Sequence, residues 1–411
     1  MKQAKKILAA ALCSCMLLLA GCGAKTPGSN TPAAGHSQSG QTPEPTPAPA
    51  RPDHNLLTGA PAQGAHQVRP IAVMVNIQPK GNPQWGISGA PVVIEVLSEG
   101  KIPSMMCLFD GLSEIPSIGP VGPARDVPVQ LAMASDAILM QIGANAYTNH
   151  LLSQCQYPNL DGYHVGVTCY DMDWERDQQG YPNEFCWYTT NQLMRTGLEQ
   201  FQMPANTDRG ASLLEFGDAA SVPSSAPAAG QLLLTYAEGW QVQLNYADGV
   251  YFKTTGSGEP HLDAANGQQL AFENVVVLFC PAGVKDDDYT RNYALTQGTG
   301  VYLTQGVYQP IQWQKGRPDQ PLRLFDLEGE PISVTPGRTY IGVYGGFAGQ
   351  NIQVMNGGGA LSLPPVPEAL PAPPPPPEPT PRPEAAAPEG EPGPEGEPAP
   401  AENTEPAPVE G

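Results

Sequence analysis

From Ser362 to Gly411 the chain offers a folded core almost nothing. The segment is mostly Pro, Glu, Ala and Gly, with an unbroken Pro373–Pro377 run and ten glutamates against the single Arg382. With Leu363, Val366, Leu370 and Val409 as its few apolar side chains, the stretch cannot offset its own ordering entropy, and like charges extend it. It therefore reads as an extended, partly polyproline II tail. Residues 23–55 have few large apolar groups either and read as a flexible spacer. Any fold is thus confined to about 300 residues between these ends, which is enough for two domains.

The N-terminus constrains location. Lys2, Lys5 and Lys6 precede the apolar run from Ile7 to Gly21. A run of about 15 residues is short of the roughly 20 that cross a bilayer as a helix. Positive start, short apolar centre and small residues before a cut fit a secretory signal. The run ends Leu19-Ala20-Gly21-Cys22, which matches a bacterial lipobox. Cleavage after Gly21 and acylation of Cys22 by a diacylglycerol carrying palmitate-type chains are expected. Several acyl chains hold far more firmly than one. The mature protein is expected on the extracytoplasmic face of the cell membrane, with the membrane as its first partner and an envelope protein or wall component as the second.

The expected organisation is a signal peptide at 1–21, a Pro/Ser/Gly-rich linker at 22–55, and an α+β domain at 56–205. A linker at 206–230, a β-rich domain at 231–350 and a Pro/Glu-rich disordered tail at 351–411 follow. In the first domain, 69–77 (RPIAVMVNI), 91–100 (PVVIEVLSEG) and 104–111 (SMMCLFDG) read as strands, the last two as an antiparallel hairpin. The turn Gly119–Val127 (GPVGPARDV) delivers Arg125 and Asp126 to the start of a helix, with Asp126 as its cap. Residues 145–155 and 191–201 read as further helices, the second capped by Thr189-Thr190. In the second domain, 241–255 is a hairpin about Ala247-Asp248-Gly249.

A formal net charge of −20, with only 20 Lys and Arg, excludes a nucleic-acid surface, and no nucleic-acid partner is expected. Cys13 and Cys15 leave with the signal. Of Cys107, Cys155, Cys169, Cys186 and Cys280, the middle three are near enough in sequence for one disulfide, and an odd thiol remains. No zinc spacing, P-loop, dinucleotide fingerprint or G-x-S-x-G is present, and no cofactor or metal is expected. The alternating Asp171, Asp173, Glu175 and Asp177 fail the calcium-loop pattern, having Arg176 and Pro182 where Gly and Glu belong.

The blocks RPIAVMVN, VVIEVLSEG, IGPVGPAR, GEPHLDAANGQQLAFENVVVLF and GTGVYLTQGVYQPIQWQKG, in this order, resemble the YerB-like bacterial lipoproteins from about Asn55 to Val343. The resemblance implies a layered α+β N-terminal domain followed by a mainly β domain, and no established activity. The family turn usually carries an arginine where this chain has Gly122. A family Pro-His-Asn stretch falls near Glu184-Phe185-Cys186, while Arg176-Asp177 and Tyr188-Thr189 are kept. If the family uses that arginine and histidine, this member lacks them, which favours binding over catalysis.

Strand alternation places Val93, Glu95, Leu97 and Glu99 on one face of 91–100. A carboxylate among apolar neighbours needs a partner, and the planar fork of Arg125 suits Glu95 or an anionic ligand. Asn76, ending the first strand, is expected at the same edge. Arg125, Glu95 and Asn76 are therefore the candidate ligand-binding residues. Spacing argues against a glycosidase pair of Glu95 and Glu99 unless a bulge intervenes: four strand residues span about 13 Å, against roughly 5–9.5 Å required. The expected function is a lipid-anchored binding or assembly module of the envelope. The alternative is a wall-directed hydrolase using a cleft around Arg125 and Glu95.

Overall fold

The computed structural model describes residues 54–61, 68–208, 210–217, 222–223 and 225–371. Gly21, Cys22, both N-terminal segments and most of the Pro/Glu tail lie outside the described residues.

Three apolar runs form the start of the sheet: β1 (Ile71–Val75), β2 (Val92–Glu99) and β3 (Ile102–Phe109). β2 and β3 make the expected antiparallel hairpin, turned at Gly100, whose positive φ of 47° suits glycine. β1 pairs antiparallel with β3 and parallel with Ile138–Gln141, which pairs with Asn159–Asp161. Helix α1 (Asp126–Ala132) packs on β2 and β3. Helix α2 (Ala146–Cys155) is capped by Asn145, whose side chain accepts from Thr148 N, and Asn191–Gln200 by Thr190, which accepts from Leu193 N.

The sheet does not stop at the first half of the chain. β2 pairs parallel with Thr339–Tyr344, from Val92 opposite Thr339 to Val96 opposite Val343. Beyond it come Asn274–Phe279, Gln297–Thr304, Val307–Gln314, Arg323–Phe325 and Pro331–Ile332, so one sheet of eleven strands draws on both halves. A second sheet of five, including Gln231–Ala237, Trp240–Ala247 and Val250–Thr255, lies over it. Its Leu232, Leu234, Tyr236 and Leu244 share a core with Val93, Leu97, Met105 and Cys107. The other face of the large sheet, with Ile94, Val96, Met106 and Leu108, packs with Val127, Val129 and Leu131 of α1. This is an α+β architecture with a mainly β second half.

Several local expectations are corrected. Asp126 is not the cap of α1: Arg125 occupies that position without a capping bond, and Asp126 pairs with Lys285. No disulfide joins Cys155, Cys169 and Cys186; the five described cysteines are free thiols, and only Cys155 is exposed. The segment expected as a linker holds fully buried Leu213 and Leu214, with Leu214 bridging Leu322 and Phe216 bridging Val334. The tail does not begin at 351. Asn351–Met355 is a strand paired with Gln231–Ala237, burying Ile352 and Val354. Beyond it, Tyr308 donates to Ser362 O (2.9 Å) and Leu370 N to Ala282 O (2.9 Å).

Candidate functional site

Two concave sites lie near the hairpin, and the expected residues divide between them. Strict alternation would keep Glu99 beside Glu95, but the β2–β3 register shifts between Leu97 and Glu99. Glu99 thereby leaves the Glu95 series. Its Oε1 accepts from Arg125 Nε and its Oε2 from Arg125 Nη2, both at 2.7 Å. Arg125 Nη1 donates to Ala124 O (2.8 Å). The expected Arg125–Glu95 pair is thus replaced by Arg125–Glu99, because a bulge re-aims the second glutamate.

Arg125 lines an open groove of about 790 Å³ together with Asn76, Asn145, Tyr163, Val167 and Trp187. The Gly/Pro turn shapes its floor. Asn76 N donates to Pro120 O, Gly122 N to Met74 O and Ala124 N to Gly143 O, each at 2.8 Å. A Cβ on Gly122 would sit 3.1 Å from Asn76 N, so glycine lets the turn lie against β1. Asn145 is fixed at both ends of its amide: Oδ1 accepts from Thr148 N (2.9 Å) and Thr148 Oγ1 (2.8 Å), and Nδ2 donates to Glu99 Oε1 (3.2 Å). Asn76 Oδ1 accepts from Gln78 N (3.3 Å), while its Nδ2 has no acceptor among the described residues. Tyr163 and Val167 stand 80% and 77% exposed.

Glu95 faces a different space, a chamber of about 320 Å³ between the first half and the five-stranded sheet. Its Oε1 lies 2.9 Å from Lys253 Nζ, with the two side chains 2% and 4% exposed. Its Oε2 accepts from Tyr340 Oη (2.6 Å), which is 2.9 Å from Tyr236 Oη. Lys253 Nζ is also 2.8 Å from His261 Nδ1. Burial, then the charge of Lys253, hold the His261 pKa well below its ordinary value. The ring is therefore neutral, accepting at Nδ1 and donating from Nε2 to Gln84 Oε1 (3.3 Å). Gln84 Nε2 in turn donates to Asn76 O (3.2 Å) and Asn82 Oδ1 (2.8 Å).

Arg125 lines the groove and Glu95 the chamber, so the two residues that the alternative hydrolase cleft would have shared are parted between two sites. The sequence reading missed Lys253, His261 and Gln84. A signal existed for Lys253, which shares strand alternation with the buried Tyr251. Arg176 is structural: it donates to Pro83 O (3.0 Å) and Gly81 O (2.8 Å) and lies over the Tyr181 ring. Asp173 caps the short helix Trp174–Gln178. Among the described residues, no group of three or more His, Cys, Asp or Glu is placed to hold a metal ion.

Comparison with known proteins supports the fold. Residues 57–202 match the family described as the N-terminal domain, and 233–341 the C-terminal domain, of a protein of unknown function, DUF3048. The chain is 26% identical over 295 residues to the Bacillus subtilis protein named "Putative lipoprotein YerB", covering 70% of this chain and 85% of that one. The crystal structure of YerB from Bacillus subtilis superposes with a TM-score of 0.62 at 23% identity, over 73% of this chain and 99% of that chain. With both domain matches in order and the same fold, the chain belongs to the YerB-like family of two-domain DUF3048 proteins.

Proposed function

We propose that this protein is a lipid-anchored binding or assembly module on the extracytoplasmic face of the bacterial cell membrane, and that it engages an envelope protein or wall component through the Arg125 groove. The observation that carries the reading is the groove itself. It is open, its Arg125 and Asn145 are held rigid by Glu99, and Asn76 Nδ2 has no acceptor among the described residues. Pre-fixed polar groups beside exposed Tyr163 and Val167 suit recognition, since little ordering is lost on binding. Anchoring through Cys22 is supported by the lipobox and by the name of the Bacillus subtilis relative. No described helix is long and apolar enough to cross a membrane.

Cys22→Ser is expected to abolish incorporation of labelled palmitate and to leave uncleaved precursor; label still attached to the variant would contradict the anchor. For the groove, a photo-crosslinking side chain at Val167 should give a discrete adduct in intact cells. One at Leu327, exposed on a turn of the second half, should not. Tyr163→Ala should remove the Val167 adduct without altering the melting temperature. Equal labelling from both positions, or an adduct indifferent to Tyr163, would sink the groove as the binding face.

A further inference from the structure

We propose that the chamber between the two halves is a second site, which binds a small, flat, uncharged organic molecule through a carbonyl or hydroxyl oxygen held by Lys253. This reading is independent of the groove. An ammonium group carries three protons and no acceptor. Glu95 and His261 take at most two of those of Lys253, and no other acceptor for it stands among the described residues. The side chain is 4% exposed and lines the chamber, so that space is where a partner for the remaining donor can sit. An unmatched donor in a buried site is costly, and a ligand oxygen there gains a charge-assisted bond.

The surroundings select the ligand. Glu95 already balances Lys253, so a carboxylate would place a second negative charge beside Glu95. An amine would meet the ammonium itself. A neutral oxygen meets neither. The walls are Ile77, Pro79, Trp240, Val242 and Leu262, apolar groups that suit a planar body. The volume of about 320 Å³ lies at the small end of small-molecule sites. Ile77 to Gln84 and Pro103 come from the first half of the chain, and Tyr236 to Leu262 from the second, so an occupant would touch both.

The test is calorimetric titration of the full chain in detergent with benzamide, benzoate and benzylamine, which differ only in the group offered to Lys253. Benzamide should bind at least about tenfold more tightly than the other two, and should raise the melting temperature by mass action. The variant Lys253→Met with Glu95→Gln removes both charges together. It should fold and weaken benzamide by about tenfold or more. Trp240→Ala leaves the ion pair whole and should weaken benzamide several-fold, and it decides the matter if the double variant does not fold. The proposal is overturned by no saturable heat with benzamide, by benzoate or benzylamine binding as well, or by unchanged benzamide binding in the variant that is read.

Discussion

Glu95 and Glu99 are four residues apart on one strand, yet they belong to different regions. Glu95 is buried between the halves at the wall of the chamber, with Lys253, Tyr340 and the His261–Gln84 relay beside it. Glu99 stands at the edge of the groove, where its pair with Arg125 is 15% exposed on each side. The first pair joins segments distant in sequence; the second holds one local turn. A buried pair is expensive to break on one side, because the surviving charge is stranded. A pair with partial access to water loses less. The contrast shows that an ion pair at similar distance, 2.9 Å against 2.7 Å, can serve assembly in one place and pre-organisation in another.

The largest expected effect is at the chamber. Lys253→Met should cost about 3–5 kcal/mol of stability by chemical denaturation, and adding Glu95→Gln should recover much of it. A loss no greater than that of Arg125→Met would erase the contrast. Next is Asp263, whose carboxylate accepts from Gly86 N, Ser88 N, Ser88 Oγ and Ala265 N and ties the second half to the first. Burial opposes its ionisation, but the bonds from Ser88, Ala265 and Gly86 hold its pKa below the ordinary range. Asp263→Ala should cost about 2–3 kcal/mol by leaving buried donors unmatched. Because the folded pKa is depressed, the contribution of Asp263 is complete above about pH 4 and is lost as pH falls through the folded value. Asp263→Asn should remove that portion of the acid sensitivity.

Arg125→Met should follow, at about 1–2 kcal/mol, since water reaches the stranded Glu99. The smallest effect is the titration of His261, which faces Lys253 at Nδ1 and Gln84 at Nε2. Its folded pKa is depressed, so it adds stability fully above about pH 6.5 and loses it as pH falls below that value. His261→Gln should flatten the stability profile between about pH 6.5 and 5. An unchanged slope would mean that the ring is protonated in place and that the relay is misassigned.

What the sequence displayed was local. The β2–β3 hairpin, the Asn245–Phe252 ladder around Asp248-Gly249, and the helices begun at Asn145 and Thr190 depend on neighbours within a few residues. Asp248 and Gly249 take positive φ values of 50° and 88°, as the turn chemistry implied. What it hid was set from a distance. The bulge that re-aims Glu99 lies where Glu99 bridges Thr290 and Gly100 N donates to Tyr289 O (2.9 Å), contacts from the other half of the chain. The parallel pairing of β2 with Thr339–Tyr344 likewise has no local sign. The strand at Asn351–Met355 did have one, the alternation of buried Ile352 and Val354, but it adjoins a proline-rich tail whose composition masks it.

A double-mutant cycle tests the division between the two regions most directly. Arg125→Met is combined with Glu99→Gln in one cycle and with Glu95→Gln in another, and unfolding free energies are measured for all members. Coupling of about 1 kcal/mol or more is expected between Arg125 and Glu99, and coupling indistinguishable from zero between Arg125 and Glu95. Strong coupling of Arg125 to Glu95, with none to Glu99, would contradict the re-aimed glutamate and, with it, the separation of groove from chamber.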